Sequence, residues 1–128
     1  MADDFNNSIQ RSISMVRGDT LSFGFQVQGL EGQEPDAIYF TCKEHIEDSE
    51  PVFQRSWIKE GQYELVDGIE KRSYDAETDT LTYGVRVAPE HTQNVELGKY
   101  FYDLELNING DVLTLMKGSL SIEWEVRS

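Results

Sequence analysis

The chain is poor in the residues that cross-link a fold, in positive charge and in helical pattern. Of 128 residues one is cysteine, Cys42, so no disulfide can form within the chain and cohesion must come from packing. Eleven lysines and arginines stand against 24 aspartates and glutamates, a net charge of −13. Nucleic-acid binding gains affinity by neutralising phosphates with basic side chains, so neither nucleic acid nor an anionic membrane is an expected partner. Such a charge keeps a protein soluble and can draw a basic partner surface. No stretch approaches the ~20 apolar residues a membrane helix needs. Met1 to Gln10 holds no apolar run of the ~7–15 residues that mark a secretory signal, so synthesis in a reducing compartment without export is expected. Helical periodicity is confined to Pro89–Val95, too short to form a layer, and an α/β fold is excluded on that ground.

What is present is a period of two. In Thr20–Gln28 the apolar Leu21, Phe23, Phe25 and Val27 alternate with small or polar residues, which places four large groups on one face of a strand. Thr80–Val87 repeats the pattern with Leu81, Tyr83, Val85 and Val87. Lys99–Ile108 does so with Tyr100, Tyr102, Leu104, Leu106 and Ile108. Shorter candidates are Ile13–Val16, Ala37–His45, Val52–Trp57, Tyr63–Val66, Val112–Met116 and Leu120–Val126. About nine half-buried strands parted by turn residues predict a sandwich or a barrel. Gly18-Asp19 marks a turn, Asn109-Gly110 a tight hairpin, and Gly118 a bulge or strand break. Residues 1–8 are expected to be a flexible leader and residues 9–128 a single domain. A domain of this size buries roughly two-thirds of its unfolded surface, enough to fold without staples.

Catalytic and metal chemistry find little support. A reactive thiol needs a base beside it. Cys42 shares a face with Ile38 and Phe40, whereas His45, three positions on, points the other way, so Cys42 reads as a core residue. His91 is expected to be solvated, and two separated histidines with one cysteine match no zinc spacing. Asp75, Glu77 and Asp79 are spaced like the start of a calcium loop, but Thr80 replaces its glycine and Arg86 its bidentate glutamate. No phosphate-cradling glycine loop or nucleophile elbow occurs. Arg17-Gly18-Asp19 reads as a turn. Trp124 continues the alternation of Leu120 and Ile122 and is expected in the core. Trp57 shares a face with Phe53 and Arg55, with its exposure open. The reading is therefore of a non-enzyme without cofactor or metal.

Three stretches carry a family likeness: Val16-Arg17-Gly18-Asp19-Thr20 with the alternation to Val27, Gly98-Lys99-Tyr100-Phe101-Tyr102-Asp103-Leu104-Glu105-Leu106, and Asp111 to Gly118 leading into Leu120-Ser121-Ile122. Together they resemble the immunoglobulin-like N-terminal domain of phage upper-baseplate proteins and related prophage tail components. The resemblance implies an all-β, immunoglobulin-like antiparallel β-sandwich of about 7–9 strands. It also implies a virion structural role, with other virion or tail proteins as partners, homo-oligomers in the assembled particle, and synthesis in the bacterial host cytoplasm. It brings no catalytic residues. The alternative on the same fold is a small carbohydrate- or protein-binding module. Loops are where such folds carry contacts. The candidate partner-contact residues are accordingly the acidic clusters Glu44, Glu47, Asp48 and Glu50, and Asp75, Glu77 and Asp79.

Overall fold

The structure, a computed structural model, describes residues 9–125; the expected leader, residues 1–8, lies outside them. In chain order the strands are β1 (Ile9–Gln10), β2 (Ile13–Val16), β3 (Leu21–Gln28), β4 (Ala37–Lys43), β5 (Phe53–Glu60), β6 (Tyr63–Asp67), β7 (Ile69–Asp75), β8 (Thr80–Val87), β9 (Gly98–Ile108) and β10 (Asp111–Glu123). They form two sheets. The larger runs β1-β10-β9-β4-β5-β6, with β2 also paired to β10, and the smaller runs β3-β8-β7. Both β1 and β2 lie parallel to β10, and the other strand pairs are antiparallel. This is the order of a variable-type immunoglobulin sandwich, in which β3, β8 and β7 are strands B, E and D, and β5 and β6 are the added C′ and C″.

The alternating residues make the core. Ile38, Phe40 and Cys42 of β4 face Leu81, Tyr83, Val85 and Val87 of β8 across the sandwich, with Leu104 and Leu106 of β9 beside them, all buried. Tyr100, at the start of β9, donates its hydroxyl to the Glu96 carbonyl at 2.6 Å, the tyrosine corner of immunoglobulin domains. Tyr102, two residues on, stands where antibody domains carry the second cysteine of their disulfide. Here Phe40 bridges instead, with ring centroids 5.5 Å from Tyr102 and 5.3 Å from Phe23 on the opposite sheet. Trp57 is fully enclosed, edge-on to Tyr83 at 5.5 Å, and donates its indole N–H to Glu64 at 2.7 Å.

Several sequence expectations need correction. The two candidates Val112–Met116 and Leu120–Val126 are one strand, β10, which ends at Glu123. Trp124 falls beyond it and is 67% exposed, so the alternation that suggested a core place runs past the end of the sheet. The bulge in β10 lies between Thr114 and Met116, where Leu115 is the extra residue, and not at Gly118. Gly118 instead makes room: a Cβ there would collide with the Arg11 carbonyl, where the chain passes between β1 and β2. That same carbonyl accepts the Tyr102 hydroxyl at 2.6 Å. β7 was not foreseen, because after Ile69 every residue of this edge strand is exposed and no alternation shows. β4 stops at Lys43, which leaves His45 in the loop. The helical turn shrinks to three residues, Pro89–His91, in which half-buried His91 accepts from Arg55 Nη1 at 2.7 Å rather than facing water.

One flank of the sandwich is clasped by charge. Glu34, in the β3–β4 loop, receives Lys59 of the large sheet and Lys71 of the small one, each at 2.6 Å. Hydrogen bonds from Lys59 and then Lys71 hold its carboxyl below the usual glutamate value of 4.5. A lowered carboxylate stabilises the fold fully above the unfolded-state pKa, and the gain disappears as pH falls through the folded-state value.

Two expectations follow. Gly118→Ala should cost about 1–3 kcal/mol, because the colliding atom is backbone that cannot swing aside; an unchanged urea midpoint would show that the Arg11 crossing yields. Glu34→Gln should lower stability by about 1–2 kcal/mol at pH 7, where two charge-assisted bonds to half-exposed lysines are lost. The difference from wild type should close as the pH of the denaturation series is taken below 4.

Candidate functional site

The other flank is open. In the small sheet β3 pairs only with β8, so its outer edge meets no strand among the described residues. β1 and β2, which precede it, are paired to β10 instead and draw the start of the fold to the larger sheet. Between the free edge of β3 and β10 lies a cleft of about 620 Å³. Its walls are Leu21, Phe23, Phe25 and Val27 on one side and Leu113, Leu115 and Met116 on the other, with buried Leu104 beneath and Ile9 and Ile13 also lining it. The β10 bulge adds to it, since the extra residue leaves both Leu115 and Met116 on the cleft.

This modifies the expectation that β3 buries its whole apolar face. Val27 is buried, but Leu21, Phe23 and Phe25 are only half-buried, because no strand among the described residues covers their outer side. Phe25 stacks on Tyr83 at 5.6 Å and keeps its far face on the cleft. The single charged wall residue is Arg11. An unpaired strand edge beside an apolar trough is a template: backbone groups can take up another strand, and the trough can take its alternate side chains.

The acidic candidates fall into two groups that the fold separates. Glu44, Glu47, Asp48 and Glu50 occupy the β4–β5 connection, at the end of the sandwich where β9 begins. Asp75, Glu77 and Asp79 occupy the β7–β8 turn, at the end where β3 stops and β4 starts. A strand the length of β9 lies between them, about 35 Å at ~3.3 Å per residue, so they cannot form one patch. Glu44, Glu47 and Glu50 are exposed, while Asp48 accepts the His45 backbone N–H at 3.0 Å. Ligand atoms of Glu44, His45 and Asp48 lie within 4.8 Å of one another, with His45 and Asp48 already paired at 3.5 Å.

Asp79 has a structural task. Its carboxylate accepts the backbone N–H of Glu31 at 2.7 Å and of Gly32 at 2.9 Å, and the Tyr74 hydroxyl at 2.9 Å. The Glu31 N–H leads in holding its pKa below the ordinary aspartate value. Asp75 accepts the Glu77 N–H at 3.0 Å, a local turn bond. Glu77 is exposed and enters the turn through its backbone N–H. Cys42 is sealed in the core, and burial pushes its thiol up to about 12, so it is protonated and unreactive at neutral pH.

No protein-family model matches the chain, and no curated protein matches it. Among solved structures it is similar to the extracellular portion of mouse CD200RLa, at 10% identity and a TM-score of 0.40, over 92% of this chain and 56% of that one. It is also similar to a structure from photo-crosslinking analyses of multimeric cell-adhesive interactions of VGSC beta subunits, at 13% identity and a TM-score of 0.38, over 92% of this chain and 93% of that one. Neither likeness bears on function. The immunoglobulin-like sandwich rests on the strand order and the tyrosine corner.

The cleft sets an order of mutational cost. Leu104→Ala should destabilise by about 2–5 kcal/mol, the range for a fully enclosed leucine. Phe25→Ala should cost less than the ~3–5 kcal/mol of an enclosed phenylalanine, because part of its surface already faces the open cleft. Urea midpoints for the two variants measure the order, and equal large losses would mean that the cleft closes in solution.

Proposed function

We propose that this chain is a non-catalytic building block that works by binding other proteins, and that the free edge of β3 is where a partner's extended segment adds. The observation that carries this reading is the pairing of an unpartnered strand edge with an apolar cleft along the same strand. A folded domain gains by covering such an edge, and a strand from another chain satisfies the backbone and fills the trough in one step. The setting we propose is a phage tail or baseplate, with other virion proteins as partners and copies of this chain in the same particle. Its support is the likeness carried by Arg17-Gly18-Asp19-Thr20, Gly98 to Leu106 and Asp111 to Ile122.

A carbohydrate-stacking platform is the weaker reading. Trp57 is enclosed, the exposed Trp124 and Tyr63 sit at opposite sides of the large sheet, and exposed Tyr74 is tied by its hydroxyl to Asp79 in the small sheet. The acidic loop Glu44–Glu50 keeps a subsidiary role in orientation and on-rate, screened as salt rises.

Electron microscopy of an assembled particle containing the chain tests the reading. Density for an added strand beside Leu21–Gln28 is expected. A particle in which that edge faces solvent, or a chain that binds glycans tightly as a monomer and enters no particle, would overturn it.

A further inference from the structure

The small sheet carries an irregularity beside the same edge. Gly24 of β3 pairs with Gly84 of β8 in mid-strand. Glycine weakens a strand interior, and neither residue has the positive φ that would require it. What the pair provides is space. Both face the outer surface of the sheet, since their neighbours Phe23, Phe25, Tyr83 and Val85 point to the core. Arg72 lies in the slot they leave. A Cβ on Gly84 would overlap its guanidinium, and a Cβ on Gly24 would stand 3.5 Å from its Nη1. Arg72 is itself the extra residue of a bulge between Lys71 and Ser73, and bulges re-aim side chains. The arginine thus reaches from β7 across β8 to the edge strand. It is exposed and joined to no other described residue by an ion pair or hydrogen bond.

We infer that Arg72 selects the strand that adds to β3, favouring a partner segment in which one acidic residue stands between two apolar ones. This rests on the strand-adding reading above and names the partner's chemistry. A strand added to β3 lies ~4.8 Å away, with each side chain on the same face as the residue opposite. Residues opposite Phe23 and Phe25 enter the apolar cleft. The residue between them, opposite Gly24, emerges on the outer face, toward which the Arg72 guanidinium extends. A carboxylate there receives a charge-assisted hydrogen bond, and the glycine floor leaves the arginine room to reach it. The sign is unusual for this protein. Its net charge of −13 repels acidic peptides in general, so a preference for acid at one position can only be local.

The probe is an acetylated, amidated octapeptide of alternating threonine and valine in which aspartate replaces one central threonine; its twin carries asparagine. Titration calorimetry against the full chain should show the aspartate peptide binding roughly tenfold more tightly, the scale of one hydrogen bond to a charged group. Exchange of the Leu21–Gln28 amides should slow with either peptide. Arg72→Gln should abolish the preference and leave the asparagine peptide unchanged. Gly84→Ala, which displaces the guanidinium but keeps its charge, should do the same. Equal binding of the two peptides, or a preference that survives Arg72→Gln, would overturn the role of Arg72 and leave strand addition standing. If neither peptide binds and β3 exchange is unaffected, the strand-adding reading falls with it. Binding seen only after removal of residues 1–8 would assign the edge to this chain's own N-terminal segment and overturn the partner assignment.

Discussion

Phe40 stands between the two sheets with Phe23 on one side and Tyr102 on the other, and the sandwich depends on that ring cluster. Antibody domains pin the same place with a disulfide under a tryptophan. With Cys42 alone in the chain, the pin must be built from aromatic area and ring geometry, each favourable pair contributing about 0.5–1.5 kcal/mol beyond burial. The cluster also orders what surrounds it. Tyr102 fastens the Arg11 carbonyl, and so fixes where the chain crosses from β1 to β2 over Gly118. The start of the fold is thereby committed to β10 rather than to β3. An open edge on β3 is the consequence of how the centre is held.

The two flanks of the sandwich then differ in kind. On the β5–β7 side, β6 passes to β7 through Gly68 alone, Glu34 clasps a lysine from each sheet, and Arg55 reaches the Arg86 carbonyl, Asp67 and His91. That side is crowded with paired charge. On the β3–β10 side the walls are apolar and Arg11 is the one ionisable group lining them. Charge on this protein is abundant and mostly acidic, yet among the described residues the cleft beside the free edge of β3 carries only Arg11. Repulsion between acidic surfaces acts at long range and works against indiscriminate pairing at that edge, where the groups on offer are backbone and apolar side chains.

The strongly alternating strands were legible because one face of each is core: β3, β8 and β9 stand where period two places them. β7 was hidden since an edge strand with both faces wet needs no pattern, and Ile69 is its one buried side chain. β10 read as two strands because Leu115 shifts the phase and Gly118 removes a side chain from the middle. The cleft left no trace. Leu21, Phe23, Phe25 and Val27 alternate in the same way whether or not a neighbour covers them, for a missing strand is a property of topology and not of local sequence. The acidic loops were visible as charge, but the bonds that commit Asp79 to the β3–β4 loop join residues 47 and 48 positions apart.

The glycines had been the faint signal. A strand interior holding Gly24, and another holding Gly84, each gives up packing and backbone order with no turn to explain it. Taken singly, either is an ordinary weakness. Their pairing across the sheet turns two weaknesses into one slot, and Arg72 of the neighbouring strand β7 reaches into it. A side chain at position 84 would overlap the guanidinium, whereas one at position 24 would only touch it. With no side chain at either position, the guanidinium has room to lie over β8 and reach toward the edge of β3 before any partner arrives. Pre-organised charge loses little freedom on binding, and so can discriminate between strands that the apolar cleft alone would accept equally.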